Sequence, residues 1–208
     1  MMLSIRNSIL TEEFDYNFLK YLLHEYKNPR VKIHDLLKKG LIIRVKKGLY
    51  VFGPEWARQP YSNEVLANLI YGPSYISLEY ALYYYDLIPE RVETVTSITN
   101  KRKKFFNTPV GAFSYRYINS SIYPYGITVH DIDKYHSILI ATREKALSDM
   151  LYFQNKINNV CQIEEYLLDN LRIEKTVLAG FDMNKVKVLA RYYGGNVSLL
   201  YKFLEELK

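Results

Sequence analysis

A single cysteine, Cys161, stands in a chain of 208 residues, so no internal disulfide can brace the fold. A reducing compartment, the cytoplasm, is the expectation. No apolar run approaches the ~20 residues that cross a bilayer, so no membrane partner is expected. The opening residues, MMLSIRNSILTEEF, lack the basic-then-apolar order and small-residue cleavage site of a secretory signal. Enzyme signatures are missing as well: there is no phosphate loop, GxGxxG, CxxC, HExxH or GxSxG. No cofactor, metal ligand or catalytic residue is therefore expected. Internal repeats and low-complexity segments are also missing.

What is present is an ordinary soluble composition, 49% hydrophobic and 24% charged, with tyrosine used 21 times. The length suits two small domains or one elaborated one. Net charge is only +6, but it is concentrated. Between Lys27 and Lys47 eight cations face one acid, Asp35. The basicity of this chain is local.

In YNFLKYLLHEY (16–26) apolar residues recur at helical spacing, with Asp15 placed to cap. In KNPRVKIHDLLKKG, Asn28 can cap, Pro29 suits a first helical position, and Gly40 suits the left-handed residue beyond the end. A helix over 29–39 follows, burying Ile33, Leu36 and Leu37. After it, LIIRVKKGLYVF reads as two short antiparallel strands, about 41–46 and 49–52, turning at KKG. Leu41, Ile43, Leu49 and Val51 are expected to seal this hairpin onto the helices. A weaker helix at 4–10 completes the outline of a winged helix-turn-helix over 1–53. GPEWARQPY (53–61) reads as a linker, 54–61, before a C-terminal domain, 62–208. That domain shows helices at 62–71 and 78–85, strands near 93–99, 112–118, 126–132 and 135–141, and a helix at 143–153. A helical tail follows near 162–171, 183–193 and 197–207, with Asp182 and Asn196 as caps. The fold class is α+β: an N-terminal winged helix-turn-helix, then a mixed α/β C-terminal domain with an antiparallel sheet and a helical tail.

The candidate site residues lie in the basic region: Arg30, Val31, Lys32, His34, Asp35, Lys38, Lys39, Arg44, Lys46 and Lys47. On a helix in the major groove, Val31 can touch a thymine methyl, His34 can donate to a purine, and Asp35 can accept from cytosine. Lys38, Lys39, Arg44, Lys46 and Lys47 would neutralise phosphates. A solvated basic face on a structural domain is the plainer alternative. NKRKKFFN (100–107) is a second basic cluster, either an exposed turn or a further nucleic-acid or partner contact. VHDIDKYH (129–136) offers two histidines and two aspartates, but alternation divides them between faces, so a turn is favoured over a metal site. In TREKALSDM, Glu144, Lys145 and Asp149 fit either a helix packed on a core or a site. Cys161 reads as a small buried apolar residue.

Three blocks of sequence resemble the AbiEi family, the antitoxin and transcriptional-regulator component of abortive-infection toxin–antitoxin pairs. LLKKGLIIRVKKGLYVF looks like that family's helix end and wing. YISLEYALYYYDLIPERVETVTSIT (75–99) looks like its block ending in a GLIPE-type turn, with Asp86 where many relatives carry glycine. ATREKALSDMLY (141–152) is similar to its EKAL-D-L helix. The resemblance spans most of residues 30–153, and the tail matches poorly. It implies a repressor that binds double-stranded DNA in its own operon, as a dimer or as several protomers on repeated sites. It also implies that 62–208 counteracts a nucleotidyltransferase-type toxin, without requiring a stable complex. Charge and periodicity support DNA binding alone. Two other readings compete. One is a nucleic-acid- or nucleotide-processing enzyme using Glu144, Lys145, Asp149, His130 and His136. The other is a protein-binding adaptor with a tyrosine-rich surface.

Overall fold

The computed structural model describes residues 1–207. The first 53 residues run α1 (Met2–Ser8), β1 (Glu13–Asp15), α2 (Tyr16–Leu22), α3 (Pro29–Lys38), β2 (Ile42–Lys46) and β3 (Leu49–Phe52). Asp15 caps α2, its Oδ1 accepting from Asn17 N at 2.7 Å and Phe18 N at 3.0 Å. That helix stops at Leu22 rather than 26, because residues 24–28 are exposed and bury nothing. At the far end of α3, Gly40 sits at φ +69°. Gly40 N donates to Leu37 O and Leu41 N to Leu36 O, the Schellman arrangement that glycine permits. Asn28 makes no side-chain capping bond, so Pro29 alone marks the start.

Strand β1, too short to show in the sequence, lies along β3, giving the antiparallel order β1-β3-β2. Strand β3 is thus central, and all four of its residues are buried. Ile42, Tyr50 and Phe52 face a core of Ile5, Ile9, Leu19, Leu23, Ile33 and Leu36. Ile43, Val45, Leu49 and Val51 face the other way and join the core of the rest of the chain. The sequence assigned Ile43, Leu49 and Val51 to the helices. Alternation instead sends them to a second layer. The segment 54–61 lies against the first unit, with the half-buried Trp56 packed on its core and Arg58 N donating to Glu12 Oε1 at 3.2 Å. Gly53 admits no side chain, since a Cβ there would stand 1.9 Å from the Gly40 carbonyl oxygen.

The remainder continues α4 (Asn63–Ile70), β4 (Ser74–Ile76), α5 (Leu78–Tyr84), β5 (Val95–Thr99), β6 (Lys104–Thr108), β7 (Gly111–Tyr117), β8 (Ile127–Asp133) and β9 (His136–Ala141). The strands form one sheet in the order β6-β7-β5-β4-β9-β8. The sequence suggested an antiparallel sheet. It is mixed, because β5 runs parallel to β7 and β4 parallel to β9. The first of these pairings follows from β6, whose exposed Lys104 and Phe105 read as a basic turn. It forms a hairpin with β7, and β7 then returns beside β5 in the same direction.

Helix α6 (Arg143–Tyr152), capped by Thr142, is followed by α7 (Val160–Glu165), a π turn at Tyr166–Asn170, α8 (Lys175–Ala179), α9 (Met183–Tyr193) and α10 (Gly195–Leu207). Asp182 caps α9, accepting from Asn184 N at 2.9 Å. Asn196, expected as a cap, lies inside α10, where its Nδ2 donates to Leu151 O at 2.9 Å and its Oδ1 accepts from Ile157 N at 2.9 Å. It stitches the tail to the exit of α6. Cys161 is exposed rather than buried, since α7 buries only Ile163. No helix among the described residues is long and apolar enough to cross a membrane.

The tail is clamped to α6 by a buried polar cluster. Lys145 and Asp149, one turn apart, are fully buried, with Nζ 3.3 Å from Oδ1. Tyr193, the last residue of α9, accepts from Lys145 and donates to Asp149. Ser77 and Tyr75 donate to the other carboxylate oxygen at 2.7 and 3.1 Å. Burial pulls the ammonium of Lys145 below its ordinary value against the raising influence of Asp149. Replacing Asp149 by Ala leaves a buried cation without its partner and is expected to cost about 3–5 kcal/mol, read from urea unfolding. The double change Lys145→Met with Asp149→Leu should recover most of that. Asp86 holds φ +54° just past α5, with Leu87 N donating to Leu82 O at 2.8 Å. Asp86→Gly should therefore stabilise by roughly 1 kcal/mol or less, seen as a raised melting temperature.

Candidate nucleic-acid interface

Helix α3 buries Ile33 and Leu36 and turns Arg30, Val31, His34 and Lys38 to solvent. At 3.6 residues per turn these four fall within about 100° of one another. Val31, 55% exposed, is an apolar side chain set among cations. Asp35 and Lys32 lie half-buried at the edge of the stripe, the Lys32 ammonium 5.4 Å from the centre of the Tyr26 ring. Lys39 follows at the exposed end.

The hairpin turn meets the N-terminal ends of α2 and α3. Gly48, at φ +91°, permits the turn, and its carbonyl accepts from Tyr16 N at 2.9 Å. An open groove of about 1050 Å³ results, lined by Asp15, Tyr16, Asn17, Phe18, Arg30, Lys47, Gly48 and Tyr50. Arg44 is exposed and pairs across the strands with Tyr50. Arg30, Lys47 and Arg44 are therefore neighbours in space although 17 residues of sequence separate the first two. The sequence pointed to the cations but not to Tyr16, Asn17 and Phe18, which carry no charge and are placed by the cap of α2.

Lys46 goes elsewhere. A β-bulge between Arg44 and Lys46 interrupts the alternation and pairs Lys46 with Leu49, on the side facing the second unit. Its ammonium donates to the carbonyls of Ile70 and, at 3.1 Å, Leu69, at the C-terminal end of α4. A cation there answers both the unpaired carbonyls and the negative end of the helix dipole. Desolvation, and next the charge of Lys104, lower its pKa. The sequence reading of Lys46 as a phosphate ligand at the hairpin tip gives way to this capping role.

No protein-family model matches the chain, and no curated protein matches it.

The five residues weighed for catalysis do not gather. Lys145 and Asp149 are buried together, and Glu144 beside them accepts from Asp182 N at 3.1 Å. His130 lies against Tyr84 and Tyr85, its ring centroid 5.8 and 5.7 Å from theirs. His136 bridges the two units. Its Nε2 stands 2.6 Å from Glu13 Oε1 on β1, and its Nδ1 is 2.8 Å from both oxygens of Asp133. Among the described residues no cluster of three or more acids, cysteines and histidines could hold a metal ion. The exposed tyrosines, among them Tyr21, Tyr117, Tyr135 and Tyr192, are distributed over separate elements.

Desolvation pulls the His136 imidazole down. Its hydrogen bonds with Asp133 and the charge of Glu13 outweigh that and raise it above its ordinary 6.5. A raised folded pKa contributes stability that is complete below the unfolded value and is lost as pH rises through the folded one. Asp133, lowered first by its hydrogen bond to His136, acts only on the acid side of 3.8. The urea midpoint should therefore fall as pH rises through and above 6.5, and His136→Gln should flatten that decline.

Proposed function

We propose that residues 1–53 form a winged helix-turn-helix that binds duplex DNA, with α3 in the major groove and the β2–β3 hairpin as the wing. The order helix, strand, helix, helix, hairpin, with β1 laid along the hairpin, supports this reading. The observation that carries it is the exposed stripe of α3, an apolar Val31 framed by Arg30, His34 and Lys38. A base-reading face has a use for that valine, because the thymine methyl is the one apolar feature of the major-groove edge. His34 then donates to a purine acceptor, and Asp35 at the stripe's edge accepts from a cytosine amino group. Lys38, Lys39, Arg44 and Lys47 neutralise phosphates, while Lys32 and Arg30 flank the helix start.

The resemblance to the AbiEi family extends the proposal to a cytoplasmic repressor of its own operon. Its second unit, 62–208, counteracts a nucleotidyltransferase-type toxin. Protein–DNA gel shifts on the DNA upstream of its own gene test the reading. Wild-type protein should bind it better than random duplex. Val31→Ala and His34→Ala should each lose about 1–3 kcal/mol of discrimination at one base position while leaving binding to random duplex near normal. Operator-mutant profiles identical to wild type would remove α3 as the reader.

A further inference from the structure

The run Lys101-Arg102-Lys103-Lys104 stands at the C-terminal end of α4, and all four residues are exposed. No Asp or Glu occurs in the sequence between Glu93 and Asp131, and among the described residues no carboxylate pairs with any of the four. Two of these cations have local work. Lys101 Nζ donates to Gly72 O at 2.8 Å, and the Lys104 ammonium lies 4.8 Å from the centre of the Tyr71 ring. Tyr71 in turn donates to the Arg102 carbonyl at 3.1 Å, which holds the segment in place. The side chains of Arg102 and Lys103 are not needed for that anchoring. Together with Asn100 and Tyr117 this corner forms an open hollow of about 700 Å³.

The hollow adjoins the interface already described. Arg30 and Lys47 line one groove. Lys46, next to Lys47, bonds the carbonyl of Ile70, and the following residue, Tyr71, carries Lys104 and Lys101 over its ring. Lys46 lies near enough to Lys104 to feel its charge, so the chain at the hairpin turn leads from the first groove to this corner.

We infer that the 101–104 corner is a second DNA contact, on the C-terminal unit, that grips the phosphodiester backbone of duplex flanking the site read by α3. This rests on the proposed function. A backbone contact is favoured over base stacking on a single strand because Tyr71 has cations over its ring and Phe106 and Tyr115 packed around it. The Tyr71 ring therefore offers no open face to a base, and Tyr117, exposed at the rim, is a single ring rather than a stacking platform.

The test is a salt titration of binding to random-sequence duplexes of about 15 and about 30 base pairs. Arg102→Gln with Lys103→Gln should lower the slope of log K against log salt by about 2 on the long duplex and leave the short one near wild type. Arg44→Gln with Lys47→Gln serves as the reference and should lower it on both. An unchanged slope for the 102/103 variant on the long duplex overturns this inference while the 44/47 variant upholds the α3 reading. An unaffected 44/47 variant beside a weakened 102/103 variant overturns the α3 reading and keeps the corner. If wild-type protein binds neither duplex, both fall.

Discussion

The hairpin Ile42–Phe52 is covered on both faces, and its double burial governs how the two halves of the molecule sit together. One face closes the core of α1, α2 and α3 through Ile42, Tyr50 and Phe52. The other contributes Val45, Leu49 and Val51 to the core of the large sheet. A strand pair with one wet face would leave the first unit tethered by a linker alone. Here the shared apolar area makes any rotation between units expose several buried side chains, at about 25 cal/mol per Å² uncovered. The salt link from Glu13 to His136 and the seating of Trp56 reinforce the same joint. The exposed stripe of α3 is consequently held in a set position relative to the second unit.

That joint also explains the arrangement of charge. A hairpin packed on both sides still has a turn and an edge, and Lys47 and Arg44 occupy them. The bulge at Val45 diverts Lys46 onto the end of α4, where carbonyls and the helix dipole welcome a cation. Lys101 reaches the carbonyl of Gly72 from the other side of that end. Capping thus draws basic residues from two distant stretches to one corner. Cations so close together repel one another, and a polyanion lying across them relieves the repulsion.

In the second unit, polar burial does the work that apolar packing does at the hairpin. Lys145, Asp149, Ser77 and Tyr75, all fully buried, and the half-buried Tyr193 satisfy one another. A group of that composition looks like an active site in the sequence. In the fold its donors and acceptors are consumed internally, and Gly126 closes over it, for a Cβ there would lie 2.8 Å from that of Lys145. The cluster fixes the helical tail to the sheet.

Much of this was legible in the sequence wherever the determining partners lie within a few residues. Asp15, Thr142 and Asp182 cap the helices they precede, Gly40 and Gly48 sit in the left-handed region at an ending and a turn, and the basic stretch is the exposed one. The α3 stripe followed from helical periodicity alone. Strands β1, β4 and β6 were hidden, being three residues long or disguised by charge, and with them went the mixed order of the sheet. Only tertiary structure decided which faces of the hairpin were buried, where Lys46 points, and that Glu13 meets His136 across 123 residues. Those outcomes depend on groups brought together by the closure of long loops, and alternation, capping and charge, which act between near neighbours, carry no record of them.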